Sequence, residues 1–230
     1  MIKILIAAPT SKHKDYCFQK WAYHIKKFTY PDLSYLLVDN TNDSGEYAKQ
    51  VLSKHFPVIH IDRKPDETQY QIITRSQNII RDYFLKKGFE FLFICESDIF
   101  PPFNVIEYLL QCNKRVCSIP YFIYSSAQTK ILQFDYEDFG SERIGSTMNL
   151  DKTFINWDGK MKPKKQPGLG CILIHKSVIQ KIKFRASDED DFLTDVYFHY
   201  DINQLGIECY VSELYFAEHK NSSWFAYKKE

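Results

Sequence analysis

One segment near the middle of the chain restricts its fold more than any other: positions 88–102, GFEFLFICESDIFPP. The apolar residues predict a buried strand, and two carboxylates, Glu96 and Asp98, follow it directly before a pair of prolines. Open α/β sheets bind their ligands at the carboxyl ends of strands. Alternation along an extended chain directs both carboxylates to one side, where hard oxygen ligands suit a divalent cation that also binds phosphates. The segment therefore predicts metal-assisted chemistry on a nucleotide-linked substrate.

Strand-like and helix-like segments alternate along the first half of the chain. Predicted strands cover 2–8, 33–38, 58–61, 115–119 and the apolar segment that ends at residue 94. Predicted helices cover 15–28, 44–55, 69–87 and 103–112, with Ser44 as the N-cap of the second helix and Gly88 closing the third. This alternation favours an α/β fold with a mostly parallel central sheet flanked by helices.

The second half of the chain has a weaker pattern. From Tyr121 to Pro167 aromatic, glycine and charged residues are mixed, which indicates a loop-rich region over the open end of the sheet. A strand-like segment over 168–175, a helix over 190–205 and a strand over 208–211 follow. No linker, internal repeat or low-complexity tract divides the sequence, so we expect a single domain over residues 1–230.

Composition restricts the partners and the compartment. The 30 Lys and Arg residues nearly balance the 29 Asp and Glu residues, which argues against a generic polyanion-binding surface. The six cysteines form no CxxC pair, which favours buried free thiols in a reducing compartment. No apolar run approaches the ~20 residues of a membrane span, and the strand-like amino terminus is too short for a signal peptide. We expect a soluble, cytoplasmic protein.

Two of the candidate sites follow predicted strands. Glu96 and Asp98 could hold a metal, although two solvated carboxylates at a turn would give the same pattern. Asp39 follows the second buried strand and could accept hydrogen bonds from a ribose hydroxyl or a base N–H, or it could form an Asx turn. The loop 164–171 contains two glycines that let backbone approach a ligand, yet it matches neither a P-loop nor a dinucleotide fingerprint.

Two further sites lie on predicted helices and in the C-terminal part. Arg75, Asn78 and Arg81 share one broad helix face, which could meet a diphosphate or form ordinary surface pairs. Asp195 stands early in a helix, where a carboxylate could act in catalysis or could stabilise the helix start. His219 precedes the polar tail and is an ordinary structural histidine unless other ligands surround it.

Taken in this order, the segments resemble the GT-A-fold glycosyltransferases, the nucleotide-diphospho-sugar transferase superfamily. The resemblance extends over nearly the whole chain, and it rests on the ordered set because no single motif is specific. The matching segments are the strand 2–8, the strand ending at Asp39, the helix segment Arg75–Arg81, Glu96-Ser97-Asp98 in the position of the DxD motif, the small-residue segment Gly168–Ile174, the helix of Asp195, and His219 as a late metal ligand.

The resemblance implies a single GT-A-like domain that binds a nucleotide-diphospho-sugar donor. Residues 1–120 would form its nucleotide-binding half and residues 121–230 its acceptor-side half. Asp39 would hold the nucleotide, with Arg75 and Asn78 nearby. The acceptor would be a glycan, a lipid-linked sugar or a protein; a modified base in DNA is less favoured by the near-neutral charge.

The resemblance also implies a metal-dependent transfer, with inversion at the anomeric carbon. Glu96, Asp98 and His219 would bind Mn²⁺ or Mg²⁺ at the donor diphosphate, and Asp195 would deprotonate the acceptor hydroxyl. The chain departs from the family pattern at two points. Glu96 replaces the first Asp of DxD, and Thr194 stands where a carboxylate often precedes the catalytic base.

Two other functions are compatible with the same kind of sheet. A nucleotidyltransferase that makes sugar nucleotides usually carries a glycine-rich basic loop after the first strand, whereas positions 9–14, PTSKHK, contain no glycine. A non-catalytic nucleotide- or sugar-binding module could keep the fold without turnover. The four polar sites in family order favour the transferase over both alternatives.

Overall fold

The computed structural model describes residues 2–124, 129–131, 133–134, 148–149, 162–164, 166–186, 194–212 and 215–220. The helices are α1 (Asp15–Ile25), α2 (Glu46–Gln50), α3 (Gln69–Lys87), α4 (Val105–Gln111), α5 (Lys176–Ile179) and α6 (Thr194–Gln204). The strands are β1 (Ile4–Thr10), β2 (Leu33–Asp39), β3 (Val58–His60), β4 (Phe91–Cys95), β5 (Ile99–Phe100), β6 (Val116–Ser118), β7 (Phe122–Tyr124), β8 (Thr129–Ile131), β9 (Gln133–Phe134), β10 (Met148–Asn149), β11 (Lys162–Lys164), β12 (Gln166–Pro167), β13 (Cys171–His175), β14 (Cys209–Val211) and β15 (Glu218–His219).

The main sheet of the described chain has eight strands in the order β11-β14-β6-β13-β4-β1-β2-β3. β3, β2, β1 and β4 are parallel to one another, and β6 and β14 run in the same direction. β13, between β4 and β6, and β11 at the edge run the opposite way. The prediction of an α/β fold with a mostly parallel central sheet flanked by helices is confirmed.

Hydrophobic residues cover both faces of this sheet. In β1, Ile4, Ile6 and Ala8 belong to a core cluster with Phe18 and Trp21 of α1, because alternate side chains of a strand point to the same face. The intervening residues of β1 belong to a second cluster, which α3, α5 and α6 help to form. A strand buried on both faces reads as a continuous apolar run, and this is why β1 and β4 were recognisable in the sequence.

Helix α3 has the bounds that the sequence predicted. Thr68 and Gln71 form a capping box at its start, and Gly88 adopts the left-handed conformation at its end, with φ of 73°. The prediction for α2 is wrong in its cap, and only part of the predicted length is α-helical, because a 3₁₀ helix over Leu52–Lys54 continues the segment to His55. The carboxylate of Asp43, rather than Ser44, accepts hydrogen bonds from the backbone N–H groups of Gly45 and Tyr47, and the helix ends at Gln50.

The loop-rich region predicted over 121–167 lies largely outside the described residues. Within it, β10, β8 and β7 form one small sheet, and β9 pairs with β12 in another. All six cysteines are free, and five of them are buried, as predicted. Among the described residues, no helix combines the length and the apolar character needed to span a membrane.

Candidate functional site

The carboxyl ends of β1, β2 and β4 meet at one edge of the sheet. Thr10 at the end of β1 lies opposite Asp39 at the end of β2, and the backbone N–H of Asn40 donates to the Thr10 carbonyl over 2.9 Å. The Thr10 hydroxyl also lies 2.8 Å from the hydroxyl of Ser97, between the two acidic residues that follow β4. Parallel pairing thus places Asp39 and the Glu96–Asp98 segment on the same edge, where open α/β sheets bind ligands.

The turn before β13 links three other parts of the site. Because β13 runs antiparallel to β4, its first residues lie beside the end of β4, and the Glu96 N–H donates to the Gly170 carbonyl over 2.9 Å. The Gly170 N–H donates to the Tyr121 hydroxyl over 3.2 Å, and the Leu169 N–H donates to Asp195 Oδ2 over 3.2 Å. A Cβ at Gly170 would lie 2.9 Å from the Tyr121 oxygen, so the packing requires glycine there.

Lys14 lies between the two acidic side chains after β4. Its ammonium nitrogen is 2.9 Å from Glu96 Oε2 and 2.7 Å from Asp98 Oδ1. The Asp98 carboxylate is fully buried, whereas the Glu96 side chain is 34% exposed. Burial alone would lower the pKa of Lys14, but the two negative charges outweigh it and raise that pKa. Sequence reasoning missed this contact, because 82 and 84 residues separate the partners.

His219 lies beside Asp98, as a shared metal site would require. β15 pairs with β5, so that His219 lies opposite Ile99, and its Nε2 is 3.3 Å from Asp98 Oδ2. Burial alone would raise the pKa of Asp98, but the charge of Lys14 and the contact with His219 hold it below its usual range. Two carboxylates and an imidazole are suitable ligands for a divalent cation, and the Lys14 ammonium shows that the pocket accommodates positive charge.

Asp195 is the second residue of α6 and is partly buried. Burial and, to a smaller extent, the negative charge of Glu96 raise its pKa, the hydrogen bond from Leu169 opposes them, and the net pKa is about 6 instead of an ordinary 3.8. Glu96 and Asp195 therefore interact electrostatically across the site. The adjacent Thr194 is buried and donates from its hydroxyl to Gln77 Oε1 over 2.7 Å, which fastens the start of α6 to α3.

Asp39 is fully buried and is engaged by protein groups. Its Oδ1 accepts hydrogen bonds from the backbone N–H and the hydroxyl of Thr41, which is an Asx turn. Its Oδ2 lies 2.7 Å from His60 Nδ1. Burial alone would lower the pKa of His60, but the hydrogen bonds to Asp39 and Asp62 outweigh burial and raise it.

A second group of potential metal ligands surrounds Asp39. Ligand atoms of Asp39, Asp43 and His60 lie within 4.8 Å of one another, and this is a candidate metal site. The sequence analysis missed it, although the signal was available: His60 ends β3 and lies opposite Asp39 in the parallel pairing of β2 with β3.

The two predicted site residues of α3 contact other parts of the protein. Arg75 forms a two-pronged pair with Glu67, with both N–O distances 2.8 Å, and this pair raises the pKa of Arg75. The Asn78 side chain donates to the carbonyls of Thr74 and Phe184 and accepts from the Phe184 N–H. Both contacts fix loops to α3, and a contact of either residue with a nucleotide stays a prediction.

Solved structures share this architecture at low sequence identity. A GalNAc-T7 structure with UDP, GalNAc and Mn²⁺ matches with a TM-score of 0.65 and 12% identity, over 95% of this chain and 44% of that chain. A structure of Staphylococcus aureus TarS matches with a TM-score of 0.57 and 10% identity, over 98% of this chain and 38% of that chain. A second TarS structure, of residues 1–349, matches with a TM-score of 0.56 and 11% identity, over 97% and 62% of the two chains.

These neighbours are GT-A-type glycosyltransferases, and the chain has a GT-A-like fold. It spans less than two thirds of the length of each of the three neighbours. No protein-family model and no curated protein matches the sequence.

Proposed function

We propose that the protein is a glycosyltransferase that moves a sugar from a nucleotide-diphospho-sugar to an acceptor hydroxyl. The observation that carries this proposal is the acidic pair Glu96–Asp98 at the carboxyl end of β4, which pairs with the Lys14 ammonium and interacts electrostatically with Asp195. The GT-A-like fold supports it, as does the UDP, GalNAc and Mn²⁺ in the GalNAc-T7 neighbour. Within one domain, we assign residues 1–120 to the donor and residues 121–230 to the acceptor.

The donor diphosphate would lie next to the acidic pair. Glu96, Asp98 and His219 would hold Mn²⁺ or Mg²⁺ there, and this ion would neutralise the negative charge of the departing nucleoside diphosphate. The nucleotide would extend over the carboxyl end of β2, where Asp39 fixes the turn by accepting hydrogen bonds from Thr41. We leave Arg75 and Asn78 out of this contact because protein atoms already engage them.

Asp195 would act as the general base. A pKa of about 6 leaves it mostly ionised at neutral pH and still close enough to that pH to accept a proton effectively. As the acceptor oxygen bonds to the anomeric carbon, the bond from that carbon to the diphosphate oxygen breaks and the acceptor proton passes to Asp195. Attack from the face opposite the leaving group gives inversion.

The test begins with thermal unfolding in the presence of UDP, GDP, ADP and TDP and their sugar conjugates, with and without Mn²⁺. A ligand that binds only the folded state must raise the unfolding temperature. The sugar nucleotide with the largest shift is then incubated with glycan, lipid-linked and protein acceptors. Metal-dependent binding together with sugar transfer is the expected result. Binding without turnover of any donor would instead indicate a binding module.

Matched variants separate catalysis from folding. Asp195→Asn should lower turnover by about 10²–10⁴-fold while nucleotide binding persists, since general bases contribute that much. Asp98→Asn should weaken binding of the nucleotide with Mn²⁺. The control is Asp82→Asn, because the Asp82 side chain is 71% exposed and pairs with Arg81 on the surface of α3. Equal turnover in Asp195→Asn and Asp82→Asn would remove Asp195 from the mechanism.

A further inference from the structure

Lys14 is held at a fixed place in the loop that follows β1. Its backbone N–H donates to the Ser11 carbonyl over 2.9 Å within a short 3₁₀ turn, and α1 begins at the next residue. The side chain is only 13% exposed, and its ammonium contacts both Glu96 and Asp98. One buried ammonium therefore pairs with both acidic groups that the proposed function assigns to the metal.

A divalent cation and the Lys14 ammonium compete for the same oxygens. Mg²⁺ binds oxygen ligands at about 2.0–2.1 Å, so a divalent ion held by Glu96 and Asp98 would lie within a few ångströms of a like charge. The metal can bind only if the ammonium moves away, and a buried ammonium that loses its partners is costly. A bound diphosphate removes this cost, because it brings new negative charges, and the flexible lysine stem can turn its three donors toward them.

We propose that Lys14 occupies the cation position of the acidic pair until a divalent metal and a nucleoside diphosphate bind together, and that its ammonium then pairs with the diphosphate. This inference rests on the proposed function. Lys14 is thus a donor-binding residue that also suppresses binding of free metal. Since the two ligands relieve the same cost, each should raise the affinity for the other by the same factor.

The test measures Mn²⁺ binding by electron paramagnetic resonance, first without nucleotide. All proteins carry Asp43→Asn, which removes one ligand of the group Asp39, Asp43 and His60 and keeps a side-chain oxygen to cap α2. In this background, Lys14→Met should bind free Mn²⁺ at least tenfold more tightly than the parent. Lys12→Met is the matched control, because Lys12 is an exposed lysine in the same turn, and it should leave the affinity unchanged.

The second arm adds UDP, GDP, ADP or TDP. The nucleotide that binds should raise the Mn²⁺ affinity of the parent at least tenfold, and Lys14→Met should lose most of this gain together with affinity for the nucleotide. Lys14→Gln repeats both arms in case the apolar variant does not fold. Equal affinity of the parent and both Lys14 variants for free Mn²⁺ would overturn the inference. If no nucleotide binds any protein, the proposed function fails, while the first arm still decides whether Lys14 competes with metal.

Discussion

Replacing Asp195 by asparagine should remove the proposed base and at the same time stabilise the fold at neutral pH. Asparagine is uncharged and nearly the same size, and its side-chain oxygen can still accept the hydrogen bond from Leu169. The substitution therefore removes the two effects that disfavour the ionised carboxylate, namely burial and the repulsion by Glu96. Loss of activity with a gain in stability is the pattern expected of a residue kept for chemistry.

The size and the sign of the effect follow from the pKa of Asp195. A folded-state pKa of about 6, against 3.8 for the ordinary group, corresponds to at most about 3 kcal/mol at about 1.36 kcal/mol per pKa unit. Because the folded pKa is the higher one, the folded state binds more protons between the two values. Wild-type stability that comes from Asp195 is thus present below pH 4 and is lost as the pH rises to about 6.

Urea unfolding of the wild type and Asp195→Asn at several pH values between 4.5 and 7.5 measures this effect. The dependence of the unfolding free energy on urea concentration is compared between the two proteins to check two-state behaviour. The stability of Asp195→Asn relative to the wild type should rise by about 1–3 kcal/mol across the series. Titrating groups that do not interact with Asp195 are common to both proteins, and their contributions cancel. A difference that stays constant with pH would refute the reasoning, and Asp82→Asn should give such a constant difference.

Three other predictions concern the same site. The rate of transfer should fall on the acid side near pH 6, and Glu96→Gln should move that limb to lower pH by removing a negative charge near Asp195; an unmoved limb in initial-rate measurements would contradict this. Gly170→Ala should destabilise the protein by about 1–3 kcal/mol in urea unfolding, because the new Cβ meets the Ile99 side chain, and adding Ile99→Val should recover part of the loss. Asn78→Ala should lower the free energy of unfolding by about 1–3 kcal/mol, because the N–H and carbonyl of Phe184 lose their partner. The nucleotide affinity measured by calorimetry should stay unchanged, and weaker nucleotide binding would indicate that Asn78 contacts the donor.

Elements with local signals were predictable from the sequence. The start of α3 is set by Thr68 and Gln71, which lie three residues apart, and its end by Gly88, so its bounds could be read without knowing the fold. The strand before Glu96 was recognisable because both of its faces are buried. The predicted cap of α2 was wrong because Asp43 and Ser44 are both suitable capping residues, and the sequence alone does not show which of them the N–H groups of Gly45 and Tyr47 will meet.

Contacts between distant segments were much harder to predict. In the sequence, Lys14 lies in the loop that follows the first strand. Only the pairing of β1 with β4 brings that loop next to Glu96 and Asp98. The charge of a lysine says nothing about which carboxylate it will meet. His219 was expected near Asp98 through a family resemblance, whereas the pairing of β15 with β5 that places it there had no clear local signal.

The reversed strand β13 has a consequence for the order in which this protein can fold. It lies between β4 and β6, and its residues Cys171 and Ile172 pair with Cys95 and Ile94, more than seventy positions earlier in the chain. Until β13 enters, β4 has an open edge on the side away from β1, and an open edge invites association with other chains. Pairings of such long sequence separation form slowly, because a large loop must close first. During refolding, nucleotide binding should therefore recover with the slowest phase, well after the first half of the sheet has collapsed.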